Sequence, residues 1–94
     1  MTKLWEMLVP AQDGNAPIPL SKHKKLDQEI RKVSEGMTLF GSVTGEWKDK
    51  RERMIPVRFM ATYPKAVDIA HFAKTHYSQE EIMLYEISNN IYFI

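Results

Sequence analysis

The chain has 94 residues, of which 44% are hydrophobic and 27% are charged, and its formal net charge is +1 at pH 7. These values predict one globular domain, residues 1–94, near the lower size limit for a self-sufficient core. The lack of cysteine excludes disulfides and thiolate chemistry. The sequence shows neither an apolar run of roughly 18–20 residues nor a basic-then-apolar leader pattern, so we expect a cytoplasmic protein without membrane contact.

The first third of the chain predicts a strand, a loop and a helix. Alternating apolar residues make Lys3–Val9 a strand, and Pro10 ends it. Gly, Asn and Pro make Ala11–Leu20 a loop. A helix of about four turns follows, with Ser21 as its N-cap and Gly36 just beyond its C terminus. The apolar positions that define its buried face are Leu26, Ile30 and Val33.

Two strands joined by a hairpin come next. Met37–Trp47 is predicted as the second strand, interrupted in character by two glycines, and residues 48–51 form the hairpin tip. Glu52–Ala61 is the third strand. Because Pro56 cannot donate a ladder hydrogen bond, we expect a bulge or a sheet edge at that position.

The last third predicts a helix and one or two strands. Tyr63–Tyr77 is the second helix, Ile82–Ile87 the fourth strand and Ile91–Ile94 a short fifth strand. The order strand, helix, strand, strand, helix, strand is that of the ferredoxin-like, or split βαβ, α+β fold, an antiparallel sheet with two helices on one face. The buried stripe of the second helix is predicted to be Ala66, Ile69, Ala70, Ala73 and Tyr77.

That fold leaves one face of the sheet without helices. We expect apolar side chains on this face, namely Leu4, Leu8, Met54, Met60 and parts of the fourth strand. A monomer rarely exposes a contiguous apolar surface of this kind. The sequence therefore predicts a homodimer or a larger homo-oligomer that pairs through sheet faces or edges. If the apolar residues are isolated from one another, they are compatible with a monomer.

Four segments of the chain resemble one known group of proteins. They are Gly36–Leu39, Gly45–Trp47, Glu52–Val57 and Tyr77–Met83. Together they are similar to a family of small uncharacterised proteins of bacteria and bacteriophages, over roughly residues 36–85. The resemblance implies the ferredoxin-like fold and no established activity. It also implies an accessory protein of bacteriophage type that acts on a host component.

The first turn of the predicted first helix carries the strongest charge signal. Its residues are Lys22, His23, Lys24 and Lys25. The helix dipole disfavours exposed cations at this end by about 0.3–1 kcal/mol each, so helices usually place Asp or Glu there. The cluster predicts an anion site that also uses the N–H groups of the helix start. The alternative is a set of solvated side chains without a ligand.

A second basic cluster surrounds the predicted hairpin. It consists of Arg51, Arg53 and Arg58, with Trp47 beside them. Arginines next to an aromatic ring suit phosphate binding combined with base stacking. Charged hairpins and edge strands also protect a sheet against unwanted pairing, so a purely protective role stays open. We predict that the two clusters form one ligand-binding surface, which an oligomer would bring together across an interface.

The sequence predicts no catalytic residue, metal site or cofactor, because the histidine spacing suits no metal and no nucleophile–base motif is present. A strand glutamate would serve as a general base only if it were buried beside an arginine. We therefore predict a non-enzymatic binding protein that, as a homo-oligomer, captures an anionic, nucleotide-like ligand or inhibits a host protein. Two alternatives stay open. One is a small enzyme with a dimeric cleft for an anionic substrate and His23 or a strand Glu as base. The other is a nucleic-acid-binding module.

Overall fold

The computed structural model describes residues 1–34, 36–39, 41–47, 50–92 and 94. Within this part of the chain, two helices pack on one face of an antiparallel sheet, which confirms the predicted ferredoxin-like α+β fold. The strands are β1 (Lys3–Pro10), β2 (Gln12–Asp13), β3 (Ala16–Pro17), β4 (Met37–Leu39), β5 (Val43–Trp47), β6 (Lys50–Ala61) and β7 (Met83–Ser88). The helices are α1 (Leu20–Val33) and α2 (Tyr63–His76).

Strand β6 organises the sheet. The strand order is β4-β6-β1-β7, and β5 also pairs with β6. In the β1–β6 ladder Trp5 lies opposite Phe59 and Met7 opposite Val57. The predicted loop after β1 contains the small β2–β3 hairpin, which turns at Gly14 with a positive φ of 61°.

The second predicted strand is split where Pro56 disturbs the ladder. Leu39 pairs with Val57, and Val43 pairs with Met54. Between these two pairs the chain advances by four residues on the β4–β5 side and by three on β6, so the β4–β5 side contains one extra residue. Pro56 itself lies opposite Leu8 of β1. This register change is the irregularity that the sequence predicts, since proline has no N–H for a central ladder.

The core lies between the helices and the sheet, as predicted. Its buried members on the helices come from the predicted stripes: Leu26, Ile30, Ala66, Ile69, Ala73 and Tyr77. Strands β1 and β6 contribute Trp5, Met7, Val57 and Phe59. Val33 and Ala70 of the predicted stripes and Ile55 of β6 are partly buried and pack against this cluster. Both helices therefore turn the predicted faces towards the sheet.

The predictions for the two ends of α1 are wrong by a few residues. The N-cap is Pro19 rather than Ser21, because Pro19 already has the extended backbone that precedes a helix and its carbonyl accepts the Lys22 N–H. The helix ends at Val33, and Ser34 is its C-cap in extended conformation. Gly36 instead allows a close approach, since a Cβ atom there would lie 2.8 Å from Met60 Cε.

The C-terminal segment also differs from the prediction. The expected fifth strand is not formed at Ile91, Tyr92 or Ile94, and residue 93 lies outside the described residues. Ser88 ends β7, and its Oγ accepts the Asn90 N–H at 2.9 Å. This local bond directs the chain into a turn instead of a further ladder. Of the predicted hairpin tip, residues 48 and 49 also lie outside the described part.

Truncation of core side chains tests the face assignment. Phe59→Ala should lower the free energy of unfolding by about 3–5 kcal/mol and Ile30→Ala by about 2–5 kcal/mol, because each leaves a cavity in a closed core. Urea denaturation measures both changes. Tyr92→Ala is the control, because this side chain is 79% exposed and its loss should change stability by less than about 0.5 kcal/mol. A loss below about 1 kcal/mol at both core positions would contradict the assignment.

Candidate functional site

Residues 22–25, which end the first turn of α1 and begin the second, present positive charge to solvent. Lys24 and Lys25 are exposed, and Lys22 and His23 are partly buried. The first turn contains no acidic residue, and no side chain caps it among the residues described there. The positive end of the helix dipole and the lysine charges therefore reinforce each other.

Two hydrogen bonds join this turn to the end of α2. His23 Nδ1 lies 2.7 Å from the Tyr77 hydroxyl, and His76 Nε2 lies 2.7 Å from the Lys22 carbonyl oxygen. Because a carbonyl can only accept, His76 Nε2 carries the hydrogen and donates it. The His76 ring also stacks on Phe72. No sequence pattern predicts these contacts, since their partners are 54 residues apart in the chain.

Burial shifts the pKa values of both members of the His23–Tyr77 pair. The pKa of His23 is lowered, first by desolvation and also by the charge of His76, while Asp27 acts in the opposite direction. The pKa of Tyr77 is raised, again mainly by burial and further by Asp27. Both shifts favour the neutral forms of the imidazole and the phenol. Residues 22–25 thus carry three lysines and a histidine whose neutral form is favoured.

The hairpin arginines lie at the same end of the sheet as the start of α1. The segment before α1 is bound to β6 there, because the Ala11 N–H donates to the Arg53 carbonyl oxygen at 2.9 Å. Strand alternation places the side chains of Arg51 and Arg53 on the helix side of the sheet. Their hydrogen bonds go to Glu46 Oε1 at 2.9 Å and to Ser42 Oγ at 2.6 Å rather than to α1. The side chain of Trp47 lies outside the described atoms.

Arg58 is separated from the other predicted site residues. It lies opposite Glu6 in the β1–β6 register, on the face without helices. Its Nε donates to Glu6 Oε1 at 2.9 Å. The Glu6 residue is only 7% exposed, whereas the Arg58 side chain is 42% exposed. The structure therefore places the lysine turn and Arg58 on opposite sides of the sheet within one chain.

An apolar border surrounds the Glu6–Arg58 pair. The residues predicted on the uncovered face, Leu4, Leu8, Met54 and Met60, are partly buried there. On β7 the apolar side chains are more accessible, with Met83 44%, Tyr85 40% and Ile87 39% exposed. We call the surface made by these seven residues and the central ion pair the open face. Leu8 pairs with Pro56 of β6 and with Met83 of β7, so the side chains of this face are neighbours across the ladder.

A groove of about 400 Å³ lies between α2 and the segment that leads into β7. Its apolar lining comes from Val67, Ala70, Ile82 and Leu84, and its charged rim from His71, Lys74, Glu80 and Glu81. The rim carries both signs of charge, so the groove does not favour anions. Among the residues that the structure describes, no three His, Asp or Glu side chains are close enough to hold one metal ion.

Comparison with known proteins reveals structural likeness without sequence likeness. No protein-family model matches the chain, and no curated protein matches it. The periplasmic divalent cation tolerance protein CutA of Archaeoglobus fulgidus has a TM-score of 0.68 at 12% identity, over 99% of this chain and 88% of that one. The divalent cation tolerance protein CutA1 of Thermus thermophilus has a TM-score of 0.65 at 10% identity, over 97% of this chain and 88% of that one.

A DUF3240 family protein from Shewanella baltica has a TM-score of 0.62 at 7% identity, over 98% of this chain and 97% of that one. Identities this low show the fold alone. The neighbours are small proteins with the fold that the sequence resemblance implies, and they do not bear on a bacteriophage origin. No helix among the described residues has the length and apolar character needed to cross a membrane. The cytoplasmic location stays a prediction, since one neighbour is named periplasmic.

The Glu6–Arg58 pair can be tested by a double-mutant cycle. Arg58→Met should lower the free energy of unfolding by about 1–3 kcal/mol, because it leaves a buried carboxylate without this partner. Glu6→Leu combined with Arg58→Met should restore much of that loss, since the charge is gone. Chemical denaturation of the four proteins gives the coupling energy.

Arg51→Met is the matched control for that cycle. It removes an arginine–glutamate pair whose side chains are 79% and 67% exposed, so stability should change little. If Arg58→Met proved as stable as the wild type, water would have to solvate Glu6, and the burial described here would be wrong.

Proposed function

We propose that this chain is a small, non-enzymatic binding protein that works as a homo-oligomer and binds a phosphate-bearing, nucleotide-like anion at the start of α1. The observation that carries this proposal is the combination of three lysines in residues 22–25 with an uncapped helix start that has no acidic residue in its first turn. An exposed cation in a first turn costs about 0.3–1 kcal/mol against the dipole, and this cost falls off beyond that turn. A bound anion would reverse the sign of that interaction and would accept hydrogen bonds from the same turn.

The surroundings support an anion larger than a single phosphate. Arg51 and Arg53 belong to the same end of the sheet as the lysine turn, and they would supply further donors to a ligand there if they exchanged their present partners, Glu46 and Ser42. Guanidinium groups suit a second phosphate. The participation of Trp47 as a stacking partner stays a prediction. Arg58 would reach such a ligand only from a neighbouring copy, because within one chain the sheet separates it from α1.

The open face supports self-association. Its exposed apolar side chains on β7 continue into the half-buried border around Glu6 and Arg58, and such continuous apolar surface is typical of an interface. The Glu6–Arg58 pair would keep its mutual hydrogen bond in an assembly, which limits the cost of covering it. A protein partner from a host is the alternative occupant of this face, and the bacteriophage role implied by the sequence resemblance belongs with that alternative.

The solved neighbours suggest a different ligand, because two of them are named for divalent cation tolerance. Among the described residues of this chain, no three His, Asp or Glu side chains form a cluster for a metal ion. The enzyme alternative gains one specific observation, since Glu6 is a buried strand carboxylate beside an arginine. Nucleic-acid binding would use the same positive surface at the start of α1, and the binding experiment described below would detect it.

Charge reversal in the first turn of α1 tests the ligand. Lys24→Glu combined with Lys25→Glu should abolish binding of inorganic pyrophosphate and ATP, because it replaces two cations by two anions at the helix start. Isothermal titration calorimetry measures the affinity, and added salt should weaken binding to the wild type. Lys65→Glu is the matched control, since Lys65 is an exposed lysine in the first turn of α2.

Binding that survives the double reversal would contradict the anion site. Binding of zinc or copper ions alone, with no response to pyrophosphate, would favour cation tolerance. Preference for oligonucleotides over ATP would favour the nucleic-acid alternative, and turnover of ATP that is lost in Glu6→Gln would favour the enzyme.

Charged substitutions on β7 test the assembly. Met83→Asp combined with Tyr85→Asp should convert the oligomer to monomer, because desolvating two new carboxylates would outweigh the apolar contact. Sedimentation velocity at micromolar concentrations measures the mass. Thr75→Asp on the exposed side of α2 is the control and should leave the mass unchanged. A wild-type protein that sediments as a single chain at every concentration would contradict self-association.

A further inference from the structure

We propose that the contact between the first turn of α1 and the last turn of α2 is a proton-operated latch, in which protonation of His23 loosens the start of α1 from α2. This inference does not depend on the proposed ligand. It concerns the helix pair itself and the two imidazoles that join its ends.

Two imidazole contacts join this turn to α2. His23 reaches Tyr77, and His76 reaches the Lys22 carbonyl oxygen, both at 2.7 Å. At its other end α1 is secured differently, because Ser34 Oγ accepts the Met60 N–H of β6 at 3.1 Å. The start of α1 can therefore loosen while the remainder of the helix stays on the sheet.

Protonation of His23 reverses its hydrogen bond. When the neutral imidazole carries its hydrogen on Nε2, the Tyr77 hydroxyl donates to Nδ1. In the protonated state Nδ1 carries a hydrogen and donates, so the phenol must turn its own hydrogen elsewhere. Tyr77 is only 5% exposed, so little water is available to accept that hydrogen. The His23–Tyr77 hydrogen bond therefore costs less free energy when His23 is neutral.

His76 faces His23 from α2, and its charge opposes protonation of His23. Asp27, one turn further along α1, favours protonation and is the stronger of the two charges, so burial is the main cause that keeps His23 neutral. Lys22, Lys24 and Lys25 are its neighbours on α1, and the dipole of α1 also disfavours a cation at this end. His23 is therefore the member of the pair whose protonation opposes the contact.

The sign of the pH effect follows from linkage. Because the folded contact holds the pKa of His23 below its ordinary value of 6.5, the closed latch is fully stable above that value. As the pH falls below 6.5, the released turn takes up a proton more readily than the closed one, so opening becomes more favourable. Each unit of pKa difference corresponds to a tenfold change in the opening equilibrium.

Amide hydrogen exchange at several pH values tests the latch in the full chain. After correction for the intrinsic exchange rate, protection of the N–H groups in the second turn of α1 should fall about twofold to tenfold between pH 7.5 and pH 5. The midpoint should match the titration of the His23 ring followed by NMR. Amides in the middle of β6 should not follow it, which separates local opening from global unfolding.

Substitutions test whether the pH dependence of protection comes from the His23 ring. His23→Gln should make the protection of this turn independent of pH, and His71→Gln, on the exposed side of α2, should keep the wild-type profile. Tyr77→Phe should bring the His23 ring pKa closer to 6.5, and this shift can be measured even if His23→Gln is unstable. The proposal is overturned if the profile persists in His23→Gln, if it follows the His76 ring instead, or if protection does not change with pH.

Discussion

The antiparallel register between β1 and β6 is the constraint on which the other features depend. It places Trp5 opposite Phe59 on one face and Glu6 opposite Arg58 on the other. A slip of one residue would exchange these faces, burying the ion pair beneath the helices and exposing the aromatic core. The apolar alternation of both strands therefore fixes which side the helices cover. The opposite side of the sheet, the open face, is therefore left without helices.

The same arrangement sets the electrostatics of the helix layer. Since β1 and β6 run in opposite directions, the helices that follow them also run in opposite directions. The N terminus of α1 consequently lies beside the C terminus of α2, where His76 meets Lys22. The negative end of the α2 dipole offsets part of the cost of the lysines near the start of α1. The chain can thus keep an unusual cluster of cations there without losing the helix.

The sequence predicts the elements of this fold well because they rest on local periodicity. The buried stripe of α2 and the alternation of β6 are both readable from the order of residues, and even the disturbance at Pro56 follows from its missing N–H. The ends of α1 are less predictable, since Pro19 and Ser34 take the capping positions through backbone conformation and tertiary contact. A local sequence pattern does not show which of several neighbouring residues becomes the cap.

The candidate site is also predictable from the sequence only in part. The lysine turn is visible in the sequence, because it contradicts the usual charge preference of a helix start. The separation of Arg58 from that turn is not, since it depends on which face of β6 each arginine occupies. The His23–Tyr77 contact is invisible as well, because it needs the relative placement of two helices distant in the chain.

The central position of β6 also implies an order of assembly. Its hairpin with β5 joins neighbours in sequence and can form within microseconds, whereas its ladder with β1 must close most of the chain. The ribosome, however, releases β1 first. Trp5, Met7 and Val9, which end in the core, must therefore wait for a partner strand that is synthesised only past the middle of the chain. During that interval β1 exposes an apolar strand face, and exposed apolar strands of this kind are prone to aggregation.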